Sequence, residues 1–263
     1  MRMGIVTDRR RKQRLRLLRG RLMGLLLLAI AGLSAASLVR GGAGKAMAAL
    51  AGSVSDAVSA VRAGSMLTRE KPVAIELTLP ERRICALQLG VFDDGERASL
   101  EAQRLQAAGV RCVIWQGERM RIVSCAALSR EALDMESAGG QEAYVLQETL
   151  PAVAMKIEAG ERSAAEAQKL LMLPDSVFLR LAQREEAELG QILLETRQAA
   201  DQAIDAHPEN ALYTSLAHSL DAWCDLMDDA VKALPPQRAR VYAALTMCTI
   251  CRELRAALIG QGT

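Results

Sequence analysis

The stretch that decides the fold is Ile84-Cys-Ala-Leu-Gln-Leu-Gly-Val-Phe92, followed by Asp93-Asp94-Gly95. It alternates with a period of two, as a half-buried strand does. Cys85, Leu87, Leu89 and Val91 form one row. Ala86, Gln88, Gly90 and Phe92 form the other, a lone amide and a lone aromatic on a small-residue floor. Downstream, Gly95 to Ala108 carries Ala98, Leu100-Glu101-Ala102, Leu105 and Ala108 as an inward helical stripe, and Gly109 stops it. Arg111 to Gln116 and Met120 to Cys125 read as strands around the tight turn Gly117-Glu118, hence a hairpin. Ser129 caps a short second helix that Gly139-Gly140 ends, and Ala143 to Leu150 is the last strand. The order β-α-β-β-α-β predicts an α+β unit: a four-stranded antiparallel sheet with two helices on one face. The other face is left open, a platform for a ligand.

Outside this unit the chain divides by composition. Residues 1–21 carry nine Lys or Arg against one Asp, although the whole 263-residue chain has a net charge of only +2. The basic charge is therefore terminal and gives no basic face for nucleic acid. Leu22 to Val39 is an 18-residue apolar run between Arg21 and Arg40. As a helix it spans roughly 27 Å, close to a bilayer core once the arginines snorkel. The charge bias places the amino terminus in the cytoplasm and the remainder outside. A cleaved signal peptide competes, because Ala46-Met47-Ala48 resembles a cleavage site. That site lies far beyond the apolar run, so the reading taken is an uncleaved transmembrane helix over 22–39. Residues 40–81 read as a linker, with Gly41, Gly42 and Gly44 loosening it and an alternating Val73-to-Leu79 segment near its end.

Residues 151–263 read as an antiparallel three-helix bundle. Its first helix is expected from an Asp175 cap to about Ala206, its second from Pro208, and its third after Pro235-Pro236. The last carries one apolar stripe of Val241, Leu245, Cys248, Cys251 and Leu258. Cys248-x-x-Cys251 reads as a pair of core thiols rather than a metal or redox motif, and no metal or cofactor is expected. Cys85 and Cys125 face opposite sides by parity, so no bridge is expected between them. Two histidines and no assembled nucleophile set give no catalytic site.

Leu87-Gln88-Leu89-Gly90-Val91-Phe92, the alanine-rich helix, Met120-Arg121-Ile122-Val123 and Ser129-Arg130-Glu131-Ala132 together resemble a SPOR domain over residues 82–150. Such domains bind peptidoglycan glycan strands stripped of stem peptides in cell division and sporulation. The resemblance implies that Gln88, Gly90 and Phe92 match the first-strand motif and Arg121 the third-strand arginine. Gln88 and Arg121 would donate to hydroxyls and carbonyls of the sugar, Gly90 would let it lie close, and Phe92 or Trp115 would stack on a ring. Cys125-Ala126 and Met120 depart from the family's Gly-Pro step and aromatic. The bland reading of the same residues is a solvated amide at Gln88, a core ring at Phe92 and a partner for Glu118 or Glu142 at Arg121. The whole chain then reads as a single-pass membrane protein that binds wall glycan. The rival is a structural protein whose 161–263 helices bind a partner or self-associate, with the sheet an inert spacer.

Overall fold

The structure, a computed structural model, describes residues 73–159, 161–183, 188–206 and 211–260. The basic segment 1–21, the membrane helix 22–39 and the linker up to residue 72 lie outside the described residues. None of the described helices is long and apolar enough to cross a membrane.

The fold is α+β. Strands β2 (Arg82–Phe92), β3 (Val113–Trp115), β4 (Met120–Ala127) and β5 (Tyr144–Leu150) form an antiparallel sheet in the order β3-β4-β2-β5. Helix α1 (Gly95–Ala107) starts where Asp94 accepts a hydrogen bond from the Glu96 amide at 2.9 Å. It buries Ala98, Ala102 and Leu105, the last two against Ile122 and Cys112, and ends as Gly109 turns to a φ of 86°.

The second helix of the expected unit is much reduced. Residues 129–134 form no helix, and only a 3₁₀ turn, Met135–Ala138, follows, capped by Asp134 rather than Ser129. It ends at Gly139, with a φ of 60°. A Cβ at Gly139 would lie 2.5 Å from Val110 Cγ2. Gly139→Ala thus combines left-handed strain with a clash, and is expected to cost about 2 kcal/mol, read as a lower urea midpoint at unchanged slope.

Two further strands fall where connections were expected. β1 (Val73–Leu79) pairs antiparallel with β6 (Val153–Ala159) as a separate ribbon. Val73 to Leu79 is extended as its alternation predicts, but it belongs to the folded body and is not tether. Residues 153–159 are likewise strand and not link. Leu77 and Leu79 are buried and join the main core.

Among the described residues the helical region holds four helices: α2 (Glu161–Ala182), α3 (Leu189–Ala206), α4 (Ala211–Ala233) and α5 (Pro236–Gly260). The first expected helix is two, divided near residues 183–188. Asp175 caps nothing; it lies inside α2, beside Pro174, and is buried. α2 leans on the ribbon: the Gln168 amide accepts from the Thr78 N–H at 2.8 Å and donates to its carbonyl at 2.7 Å. That side chain fills a strand-edge position. Between α3 and α4, Arg197 meets Asp221, Asp225 and Asp228.

The largest departure is α5. Instead of one stripe, every residue from Tyr242 to Cys251 is buried. A helix apolar on all sides belongs inside a core, and α5 has neighbours on both sides. Trp223 of α4 donates its indole N–H to Thr246 Oγ1 at 2.9 Å. Trp115 of β3 donates to Thr249 Oγ1, also at 2.9 Å. Each threonine hydroxyl in turn donates to an earlier carbonyl of its own helix, so none of these buried polar atoms is stranded. The two tryptophans of the chain thus clamp one helix between sheet and bundle. A single core runs through Ile84, Ala86, Trp115 and Val123 of the sheet into all four helices.

Candidate functional site

The resemblance assigns Gln88, Gly90, Phe92, Trp115 and Arg121, and their positions depend on two irregularities of pairing. β2 and β4 pair as Leu87↔Cys125, Gln88↔Val123 and Gly90↔Ile122. Ser124 is therefore one extra residue on β4, and Leu89 one extra on β2. A bulge of this kind reverses the facing of everything beyond it.

The consequence is that the expected row Ala86, Gln88, Gly90, Phe92 does not share a face. Ala86 and Gln88 point toward α5, with Ile84. Gly90 and Phe92 point toward α1, where Phe92 packs on the cluster of Leu105, Val110 and Ile122. A Cβ on Gly90 would sit 2.8 Å from the Phe92 ring. The room that glycine provides is taken by the neighbouring aromatic of the same strand. Phe92 thus follows its bland reading, a core ring at a strand end.

The Ser124 bulge changes the cysteines. Cys85 and Cys125, opposed by simple alternation, belong to one cluster with Leu87 and Ala127. All six cysteines are buried thiols. Burial pushes Cys112 and Cys224 up to about 12 and Cys248 and Cys251 well above the ordinary thiol range. Such thiols are poor nucleophiles and poor metal ligands. Among the described residues no group of three or more Cys, His, Asp or Glu is placed to hold a metal ion.

Trp115 lies on the same face as Gln88 and Arg121, but it is fully buried. Beyond its bond to Thr249, the Arg252 guanidinium stacks over the ring at 4.5 Å from the centroid. Arg252 also donates to Glu148 of β5 at 2.9 Å. α5 therefore reaches both edge strands, and the face expected to be open is covered along this line. No surface of Trp115 is left for a sugar.

Gln88 and Arg121 do come together. Arg121 Nη1 donates to Gln88 Oε1 at 2.6 Å across the central β2–β4 pair. Both are half-buried. Neither Glu118 nor Glu142 pairs with Arg121; Glu142 instead accepts from the Tyr144 hydroxyl. The pair fixes the guanidinium plane and leaves its other N–H groups, and the Gln88 amide N–H₂, as donors on a partly open strip. That strip can hydrogen-bond hydroxyl, carbonyl or carboxylate oxygens.

No family model, curated protein or solved structure matches this chain.

Sequence reasoning missed Thr249, Arg252 and Arg255, and read Asp175 as a helix cap rather than as the buried partner of Arg255. One signal was available: residues 241–251 carry no charge, although Lys, Arg, Asp and Glu make up 24% of the chain. A charge-free run of eleven in a helix argues for burial on all sides.

Proposed function

We propose that the chain is a non-enzymatic, single-pass membrane protein whose wall-facing part binds peptidoglycan glycan strands through Gln88 and Arg121, in division or sporulation. What supports this is the Gln88–Arg121 pair. Two residues 33 apart in sequence, each assigned by the SPOR resemblance on separate motifs, are in direct contact on one strip of sheet. Gly90, Phe92 and Trp115 have no part in the proposed contact, since the first two face α1 and the third is buried.

The test is co-sedimentation of the full-length chain, in detergent, with sacculi before and after amidase treatment. Binding is expected to rise on the treated sacculi. Gln88→Ala and Arg121→Ala are each expected to weaken it about tenfold, the worth of one charge-assisted hydrogen bond. The isolated 82–150 segment is the wrong reagent, because it would expose the Trp115 face that α5 covers. A folded chain that binds neither preparation sinks the glycan reading.

A second reading is favoured by α5 itself. The helix fills most of the sheet face that a ligand would use, which suits a scaffold in which residues 161–263 meet a protein partner or a second copy. Unchanged wall binding in both variants, together with self-association that persists on deleting the membrane segment, would select that reading.

A further inference from the structure

A cavity of about 200 Å³ lies away from the Gln88–Arg121 strip. Its walls are the turn after α1, the Ser124 bulge of β4, the 3₁₀ turn and the corner between α4 and α5. At this size it suits a small metabolite rather than a drug-sized molecule or a polymer.

Its polar lining is unusual. Tyr242, only 3% exposed, lines the cavity, and among the described residues its hydroxyl has no hydrogen-bond partner. A buried O–H that has given up water and gained nothing calls for an explanation. Burial, only partly offset by the charge of Arg111, pushes the phenol up to about 12, so it remains a donor at neutral pH. Beside it Ser124 is buried, its Oγ 3.4 Å from Ser137 Oγ. Ser137 already donates to the Asp134 carbonyl at 2.6 Å.

Charges of both signs stand around these hydroxyls. Arg111 and Arg238 are on the lining, and so are Asp134 and Glu136. Among the described residues none of the four is in an ion pair. One Asp134 oxygen accepts from the Glu136 amide at 3.1 Å, leaving the other oxygen for a ligand. A simple anion would be drawn by the arginines and repelled by the acids. A simple cation would meet the reverse. A molecule with both charges satisfies both sets, and its carboxylate can accept a hydrogen bond from the Tyr242 hydroxyl.

We propose that this cavity binds a small zwitterion, one carboxylate and one ammonium on a body the size of a free amino acid. The carboxylate is held by Arg111, Arg238 and the Tyr242 hydroxyl, and the ammonium by Asp134 and Glu136. This site is independent of the glycan reading and stands or falls separately.

The test titrates the full-length chain with glycine, L-serine and L-glutamine, each beside its N-acetyl and its amide derivative, followed by calorimetry and thermal shift. At least one free amino acid is expected to bind, and both of its single-charge derivatives to bind at least about tenfold more weakly. Arg238→Gln, at an exposed position, should weaken the amino acid and its N-acetyl form but spare the amide. Glu136→Gln, also exposed, should show the opposite selectivity. Tyr242→Phe should weaken amino-acid binding while the ligand-free protein melts no lower than the parent, because the deleted hydroxyl had no partner. No binding by any of the three amino acids overturns the proposal. So does equal binding of the charged and blocked forms, or a Tyr242→Phe variant that melts lower and binds as before.

Discussion

Arg255→Ala is expected to lower the unfolding free energy by about 3–5 kcal/mol, the largest loss of any single substitution among the helices. The Arg255 side chain is 1% exposed. Each of its five N–H groups has an acceptor. Nη1 donates to Asp175 Oδ1 at 2.8 Å and to the Cys251 carbonyl at 3.2 Å. Nη2 donates to Asp175 Oδ2 at 2.6 Å and to the Pro80 carbonyl at 3.0 Å. Nε donates to the Pro151 carbonyl at 3.2 Å. One planar guanidinium therefore ties α2, α5, the turn between β1 and β2, and the turn between β5 and β6. Removing it strands a carboxylate that is 3% exposed, with Arg82 at 3.8 Å as its remaining cation. The cost arises from that stranded charge more than from the lost pair. Arg255→Met with Asp175→Leu should therefore recover most of the stability, though not the bonds to the two proline carbonyls. Urea unfolding of the two singles and the double decides this. A double variant no more stable than Arg255→Ala would show that the carbonyl bonds, and not the buried carboxylate, dominate.

Trp115→Ala is expected to cost a similar 3–5 kcal/mol, since it opens a cavity under α5 and removes the ring on which Arg252 lies. Trp115→Phe keeps an aromatic surface but loses the indole N–H and part of the ring volume, so about 2 kcal/mol is expected. Thr249 would still donate to the Leu245 carbonyl at 2.9 Å. The pair of variants separates two roles for the residue. If Trp115 were a sugar platform on an open face, the alanine variant would lose wall binding and keep its melting temperature. The structure gives the reverse: a large fall in melting temperature, with any loss of binding following unfolding. A Trp115→Ala protein as stable as its parent would mean that α5 does not dock on the sheet in solution.

How much was legible follows from where the information sits along the chain. The period-two run of β2, the capped helix α1, the β3–β4 hairpin and β5 are local patterns, and they emerged in the expected order and close to the expected places. The antiparallel sheet follows from them. The prolines at 235 and 236 marked the start of α5 for the same reason: a fixed φ and a missing donor act on the nearest turn. Some failures are local, as at the reduced second helix and at Asp175, which lies inside α2 rather than capping it; the larger ones are matters of partner. Nothing within residues 73–79 says that they pair with 153–159, since a ribbon closed across some 80 positions has no local signature. Extra residues at Leu89 and Ser124 look like any other strand residues, yet they turn Phe92 and Gly90 to one side and bring Cys85 and Cys125 to the same one.

The sequence by itself determined the sheet strands β2 to β5, helix α1 and the start of α5, because alternation, caps and turn chemistry act over a few neighbouring residues. Only the tertiary structure decided that the second face of the sheet is not open. That outcome rests on long-range packing: α5 is apolar on every side, so burying it against the bundle alone would leave half its surface in water. The sheet supplies the other half, with two threonines placed to receive the two indoles. A face that reads as available in one segment was already needed by another.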